Sequence, residues 1–496
     1  MTTSLEECRK MAPGYGMVPV VKRVPAGGHT VEDLAEMARS LSKQVYVMDH
    51  TVDTGKEIRW ERYAVIGFAP ALEFSCTDGV MTVAQGGTRI SYPCKDPSRV
   101  LAGVLASYKA PYAEGMPPFT GGLADYFAYE YIKYAEPEIQ WEEANPEQFK
   151  DMDLFFFDRL FVLDRQQQEI LLIVNIATDH LEENYRKALF TLGEMENMLE
   201  EAPRDGVPPF AITGSFQPMF QLQDYIRMVE QARKDIRKGE TCQIVLSNAV
   251  TAPAQGSLLS AYRVLRKKDP TRYMCYFSSD DAECAIASPE ATITLQQGQL
   301  YMNPLAGTAA RGKTKEEDLK NERELLADQK SLDEHNMLVD DARNEFGAVC
   351  DFDSIGIRDY LKVVRCARVM HIGTTVTGRL RSDKTALDVI DMTVPAGVVS
   401  GSPKIHGCEL INAIEKNRRG IYGSTLGQIS LTGDADFCVF IHSAFLKNGK
   451  VTVRSGGGIV IDSVPEEEHQ ECLNKAMAME GALYEASALD KGGAEK

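Results

Sequence analysis

The sequence contains no uninterrupted apolar stretch of the roughly 18 residues that a membrane span requires. Its opening residues, Met1 to Val20, carry Arg9 and Lys10 with no continuous apolar core behind them. Neither an anchor nor a secretory leader is read there, and a cytosolic protein is expected. The eleven cysteines, scattered from Cys8 to Cys472, are odd in number and include no Cys-x-x-Cys pair. That argues against a disulfide framework or a zinc ribbon and leaves buried thiols as the expectation. Positive charge is scarce: 54 Lys and Arg face 72 Asp and Glu, for a net charge of −18. No nucleic-acid or membrane partner is expected on that balance, and an anionic small substrate would need its own cation-rich site. Internal repeats, phosphate loops, dinucleotide fingerprints and nucleophile elbows are also missing. Ser400-Gly401-Ser402-Pro403-Lys404 misses the Ser-x-x-Lys hydrolase spacing by one residue.

What is present is an ordinary globular balance, 44% hydrophobic and 25% charged, in 496 residues. The clearest break is Glu201–Phe210, where Arg204, Asp205, Gly206, Val207, Pro208 and Pro209 combine charge with turn formers. The chain is therefore divided into an N-terminal region 1–205, a linker 206–221, a catalytic domain 222–490 and a polar tail 491–496. Strands are predicted at Tyr46–Asp49, Arg62–Phe68, Glu169–Asn175 and Gln243–Val250, and helices at Val31–Leu41 and Leu181–Leu199. Tyr225, Met228, Val229, Ala232 and Ile236 mark a further helix that stops at Gly239. Alternating strands such as Lys450–Arg454 suit antiparallel sheets covered on one side, so the fold class is α+β.

Chemistry concentrates in the second half. Ser463-Val464-Pro465-Glu466 reads as a capping box opening a helix. On that helix Glu468 and Glu471 share a face with Glu467 nearby, either as a site or as a solvated acidic first turn. Gly456-Gly457-Gly458 ends the preceding strand, where bare amides can approach an anion closely or simply make a turn. Asp333-Glu334-His335 lies in one long helical pattern from about Lys315 to Glu345. Carboxylates from two helices would suit a hard cation such as Mg²⁺. Pro403 at a helix start with Lys404 in the first turn is a candidate anion cradle.

Taken together, five ordered motifs resemble the chorismate-utilising enzyme family, and within it the anthranilate synthase large subunits. They are Pro304-Leu305-Ala306-Gly307-Thr308, Asp333-Glu334-His335 with Met337–Asp340, Val369-Met370-His371-Ile372, Pro395–Gly397 through Ser400–Lys404, and Gly456-Gly457-Gly458-Ile459-Val460. The resemblance is ordered from about Tyr225 to Leu483 and extends more thinly to Arg62–Gly67. It implies two stacked antiparallel β-sheets around a cleft, surrounded by helices, with Mg²⁺ and chorismate. By position, Glu334 and Glu471 would hold the metal with Glu468 in support. Gly456, Gly457, Gly458, Thr308 and Lys404 would line the substrate site.

Gln243 stands where water-activating relatives carry Lys, and Ala306 where 4-aminating relatives carry Lys. The resemblance therefore implies ammonia attack at ring C2, with Glu290 as general acid for the leaving C4 hydroxyl and His371 acting on the C2 proton. Loss of pyruvate would then give anthranilate, and without that step the product is 2-amino-2-deoxyisochorismate. A core histidine is the other reading of His371. A separate glutamine amidotransferase subunit is the implied ammonia source. Gln428 and His442 replace the Tyr and Arg with which relatives grip the enolpyruvyl carboxylate, Ala309 replaces an Arg, and Ser331 an acidic residue, while Arg311 remains nearby. A chorismate relative as substrate, or a catalytically impaired binding or regulatory paralogue, follow as alternatives. Val47–Thr51 and Asp269–Met274 depart from the relatives' tryptophan-binding stretches, so feedback by tryptophan is expected to be weak or absent.

Overall fold

The computed structural model describes residues 2–51, 58–139, 141, 145–200, 207–366 and 369–494. Two sheets dominate, of 13 and 12 strands among these residues. All the paired strands are antiparallel, as the alternating patterns predicted. Each sheet nevertheless buries both faces in its central strands. Tyr63–Phe68 and Gly122–Phe127, for example, are buried at every position. The reason is that the sheets lie against each other and helices cover their outer faces. The shared core includes Tyr46, Val65, Phe155, Phe277, Leu426 and Phe440.

Helix Val31–Leu41 shows how the outer layer is built. Thr30 accepts from the Asp33 amide, and the Asp33 carboxylate accepts from the Thr30 amide at 2.8 Å, closing a capping box. Val31, Leu34, Ala35 and Ala38 then fall on one face and bury completely against the first sheet. Helices Leu181–Glu200, Leu259–Lys268 and Pro465–Ala494 join the same layer. Pro97–Ser107, Gln329–Val349 and Ala386–Thr393 cover the second sheet. Helix Leu222–Lys238 stops at Gly239, whose φ of 81° lies in the left-handed region that glycine tolerates. Nine of the eleven cysteines are buried and all are free thiols. No helix among the described residues is long and apolar enough to cross a membrane.

The division into an N-terminal region and a catalytic domain does not correspond to separate sheets. Val45–His50 pairs with Tyr273–Ser278, and Gly122–Phe127 pairs with Thr425–Ser430, so both sheets run through both halves. Within the predicted linker, Ala211–Ile212 and Gln217–Pro218 add short strands to Gln243–Gln255; residues 201–206 lie outside the described residues. The single helix predicted from Lys315 to Glu345 is two, Lys315–Leu325 and Gln329–Val349. Asp328 interrupts it because its carboxylate caps the second helix through the Ser331 amide at 2.9 Å. The polar tail begins inside the last helix, which continues to Ala494; residues 495 and 496 are not described.

Candidate active site

One wall of the site is the edge where strands Gln243–Gln255 and Lys450–Ile459 pair, with Val245 opposite Gly458 and Ser247 opposite Gly456. The absence of side chains here permits two close approaches. A Cβ at position 458 would fall 2.1 Å from Gln243 Nε2, and one at 457 would fall 3.2 Å from Glu468 Oε2. Gln243 Nε2 in turn donates to Glu334 Oε1 at 3.2 Å. The amide thus links the glycine strand to the carboxylate on helix Gln329–Val349. His335, the next residue, faces inward and hydrogen bonds Thr374 Oγ1 at 2.6 Å, which ties that helix to strand Val369–Arg379. Burial pushes its pKa down to about 4, so it is a neutral anchor.

Glu468 is buried, and Ser463 Oγ donates to it at 2.7 Å. Burial raises its pKa, the Ser463 bond opposes, and the charge of Glu471 raises it further. Ser463 therefore does not make the predicted capping box: its hydroxyl accepts from the Val460 amide at 3.1 Å and donates to Glu468. The buried carboxylate takes the hydroxyl that the helix end would otherwise use. Glu471 is more exposed and pairs with Lys475 Nζ at 2.7 Å. Among the described residues no three His, Cys, Asp or Glu side chains gather closely enough to hold an ion by themselves. The donor chemistry still fits Mg²⁺, which takes one or two carboxylates and fills its remaining positions with water and substrate oxygens. A cation here would also offset the mutual repulsion of Glu468 and Glu471.

Strand Leu305–Ala310, packed against helix Gln329–Val349, carries the second group of residues. Its first residue gives a backbone hydrogen bond to the Glu290 carboxyl; burial pushes that carboxyl up to about 8, with the Leu305 bond opposing. Glu290 therefore carries its proton at neutral pH. Two residues on, Gly307 O accepts from His371 Nδ1–H at 2.9 Å, and Thr308 Oγ1 lies 3.2 Å from the same nitrogen. That fixes the tautomer and leaves Nε2 as the basic atom. Burial lowers the His371 pKa, with the Gly307 bond opposing. Ala306, buried opposite Ile372, contributes only a methyl group. Thr308, Ala309 and Ser331 border an adjoining cavity of about 360 Å³. Arg311 is turned away to Asp318, its Nε donating at 2.8 Å.

Lys475 lies against the glycine strand. Its ammonium donates to Gly456 O at 3.0 Å as well as to Glu471. With the His371 charge, it also adds to the effect of burial in pushing His442 down to about 4. Water reaches His442 even though protein surrounds it, as expected of a side chain on the wall of a narrow cleft. Lys475 was missed from sequence, although it stands four residues beyond Glu471 on the same helix face.

Two predicted substrate residues are placed differently. Lys404 is not an anion cradle: its ammonium pairs with Glu345 and donates to Met392 O at 3.1 Å and Thr393 O at 2.9 Å, which uses all three N–H bonds. Gln428 is fully buried between the sheets opposite Asp436, with neither amide atom hydrogen bonded to protein, and does not line the open cleft. The stretch Val47–Thr51 is internally engaged. Asp49 pairs with Arg266 at 2.9 Å and with Arg165. His50 Nε2 donates to Asp436 at 2.8 Å, and Asp436 also accepts from Tyr273 at 3.2 Å and Thr294 at 2.8 Å.

The family profile described as chorismate binding enzyme matches residues 53–481. Anthranilate synthase component 1 of Acetivibrio thermocellus is 32% identical over 500 residues, covering 98% of this chain and 99% of its own. The Pseudomonas aeruginosa protein of the same name is 32% identical over 490 residues, 96% and 97% of the two chains. The crystal structure of anthranilate synthase component I from Streptococcus pneumoniae TIGR4 superposes with a TM-score of 0.75 at 30% identity, over 86% of this chain and 94% of that one. MenF, the menaquinone-specific isochorismate synthase of Escherichia coli, shares the fold, with a TM-score of 0.69 at 17% identity over 97% and 98% of the chains.

Proposed function

Because the chain belongs to the chorismate-binding enzymes, we propose that it is a Mg²⁺-dependent lyase of the anthranilate synthase component I type. It would aminate chorismate at C2 with ammonia from a separate glutamine amidotransferase subunit, and eliminate pyruvate. The observation that carries this reading is a protonated Glu290 and a His371 with Nε2 as its basic atom, both tied to strand Leu305–Ala310, together with a Gln243 that links Glu334 to the glycine strand beside Glu468.

Glu334, Glu468 and Glu471 would hold the ion. Bound there, Mg²⁺ would anchor the ring carboxylate and stabilise the charge that develops as the ring rearranges. The Gly457 and Gly458 edge lets backbone come close to that carboxylate without a Cβ in the way. Ammonia adds at C2, the ring double bonds shift, and Glu290 gives its proton to the departing C4 hydroxyl, which leaves as water. Nε2 of His371 then takes the C2 proton, the C3–O bond breaks, and the side chain departs as enolpyruvate, which takes up a proton at its methylene carbon to become pyruvate, while the ring becomes aromatic. Gln243 carries a neutral amide already bonded to Glu334, so it cannot activate water as a base, which favours ammonia as the nucleophile. Ala306 offers no amine for covalent attack at C4.

The test is to incubate the pure protein with chorismate, Mg²⁺ and ammonium at alkaline pH and identify products by mass and fluorescence. Fluorescent anthranilate with pyruvate supports the proposal. A non-aromatic amino adduct indicates amination alone, and isochorismate indicates water attack. Unchanged chorismate refutes it. A second reading, the same amination on a chorismate-like enol ether without the side-chain carboxylate, is favoured by His442. Its ring lies in the cleft in neutral form, with no fixed positive charge to offer a carboxylate.

A further inference from the structure

Three consecutive glycines carry no side chains with which to hold their own position, so the Gly456–Gly458 edge must be held from behind. Behind it lies a charged cluster: Arg419, Glu415 and Arg454 are 1%, 2% and 4% exposed. None of the three is among the residues that face the cleft. Glu415 Oε1 accepts from the Ser247 amide at 2.7 Å, from Ser247 Oγ at 2.9 Å and from Arg419 Nη2 at 2.6 Å. Its Oε2 accepts from Arg419 Nε at 2.9 Å and Arg454 Nη2 at 2.7 Å. Burial alone would raise the Glu415 pKa, but Arg419 and Arg454 more than reverse that, so it stays ionised.

The remaining donors reach the segments that carry the site. Arg419 donates to Val245 O and Val399 O, each at 2.6 Å. Arg454 donates to Ser247 Oγ at 2.8 Å and to Asn417 Oδ1 at 2.8 Å. Val245 and Ser247 are the residues opposite Gly458 and Gly456, and Gln243 lies two positions before Val245. The Tyr422 ring sits 5.9 Å from the Arg419 guanidinium and 5.8 Å from that of Arg454. Its hydroxyl lies 2.9 Å from where a Cβ of residue 456 would be.

We propose that Glu415, Arg419 and Arg454 are positioning residues that clamp the two strands from behind, fixing the Gly456–Gly458 amides and the Gln243 side chain against which the ligand lies. Only the identity of that ligand rests on the function proposed above. Losing one partner would leave a buried charge unpaired and free the strand pair to shift locally.

The test uses Arg454→Lys, Arg419→Lys and Glu415→Gln in the full chain, with Ser247→Ala as a variant that leaves every ion pair intact and removes only the hydroxyl bonded to Glu415 and Arg454. In ligand-free protein, amide hydrogen exchange should speed up about tenfold or more in 243–247 and 455–459, with the rest of the protected core unchanged. The KM for chorismate should rise about tenfold, with kcat falling less. Arg454→Lys, which keeps the charge, should lose less than Arg454→Met. Exchange that accelerates throughout the protein, or an unchanged KM in a folded variant, overturns the proposal. If the ion-pair variants do not fold, Ser247→Ala decides, because it removes the hydroxyl that bonds both Glu415 and Arg454, and unchanged exchange at 455–459 with unchanged KM in it also overturn the proposal. The exchange readout needs no substrate. A wild-type protein inert toward chorismate would therefore refute the proposed function and leave this inference to be judged on exchange.

Discussion

Replacing Glu290 by Gln should make the protein more stable and almost inactive. An ordinary glutamate with a value of 4.5 is ionised in the unfolded chain at pH 7, whereas the folded carboxyl, raised to about 8 by burial, holds its proton. Taking up that proton costs about 3 kcal/mol of stability at pH 7, at about 1.4 kcal/mol per pH unit. The sign follows directly. The contribution of the protonated form is fully present below pH 4.5, declines as pH rises toward about 8, and changes no further above that. Gln does not titrate, and its carbonyl can still accept from the Leu305 amide. Glu290→Gln should therefore raise the thermal midpoint at pH 7 and flatten the pH dependence of stability across that window. Loss of the general acid should lower kcat by about 10²–10⁴-fold, or about 3–5 kcal/mol of barrier. In the wild type, kcat/KM measured at constant free ammonia should fall above about pH 8. Calorimetry across pH, with steady-state rates, checks both parts. A variant that is less stable at pH 7, or that keeps wild-type kcat, would refute the assignment.

His371→Asn should retain amination but lose pyruvate release, so that mass spectrometry finds the non-aromatic amino adduct in place of anthranilate. His442→Arg should lower the KM for chorismate by about tenfold or more if the side-chain carboxylate lies against residue 442, since a charge-assisted pair contributes about 1.5–3 kcal/mol; an unchanged KM would place that carboxylate elsewhere. Tryptophan at millimolar concentration should not inhibit, because His50 and Asp49 are already paired with Asp436, Arg266 and Arg165; an inhibition titration showing tight tryptophan binding would reverse this. Glu468→Gln should weaken Mg²⁺ binding by about tenfold or more in calorimetry, the usual scale of ligand-shell losses.

Elements governed by neighbours along the chain were legible from sequence. The Val31–Leu41 helix follows from its apolar spacing and the Thr30–Asp33 box, and the stop at Gly239 from the left-handed backbone that glycine permits. Ordered motifs likewise marked Glu290, Gln243, Glu334 and His371; the fold joins Gln243 to Glu334 and ties Glu290 and His371 to the same strand, Leu305–Ala310. The misses involve partners far away in sequence. Lys404 is claimed by Glu345 and by carbonyls at the end of another helix, Ser463 is drawn off its cap by the buried Glu468, and Gln428 is enclosed when the second sheet closes on the first. Helix Lys315–Leu325 ends early because Asp328 caps the next helix, a competition that apolar periodicity does not register. The Glu415–Arg419–Arg454 cluster assembles residues from a helix, a loop and a strand, so no local spacing announces it.

We propose that carboxylates from helices Gln329–Val349 and Pro465–Ala494 share one divalent ion beside the glycine strand. Manganese in place of magnesium, located by anomalous diffraction from crystals of the full chain, tests it most directly. A single strong peak is expected between Glu334 and the Glu468–Glu471 face, within reach of the Gly457 edge. A peak elsewhere, or none with those oxygens turned apart, would contradict it.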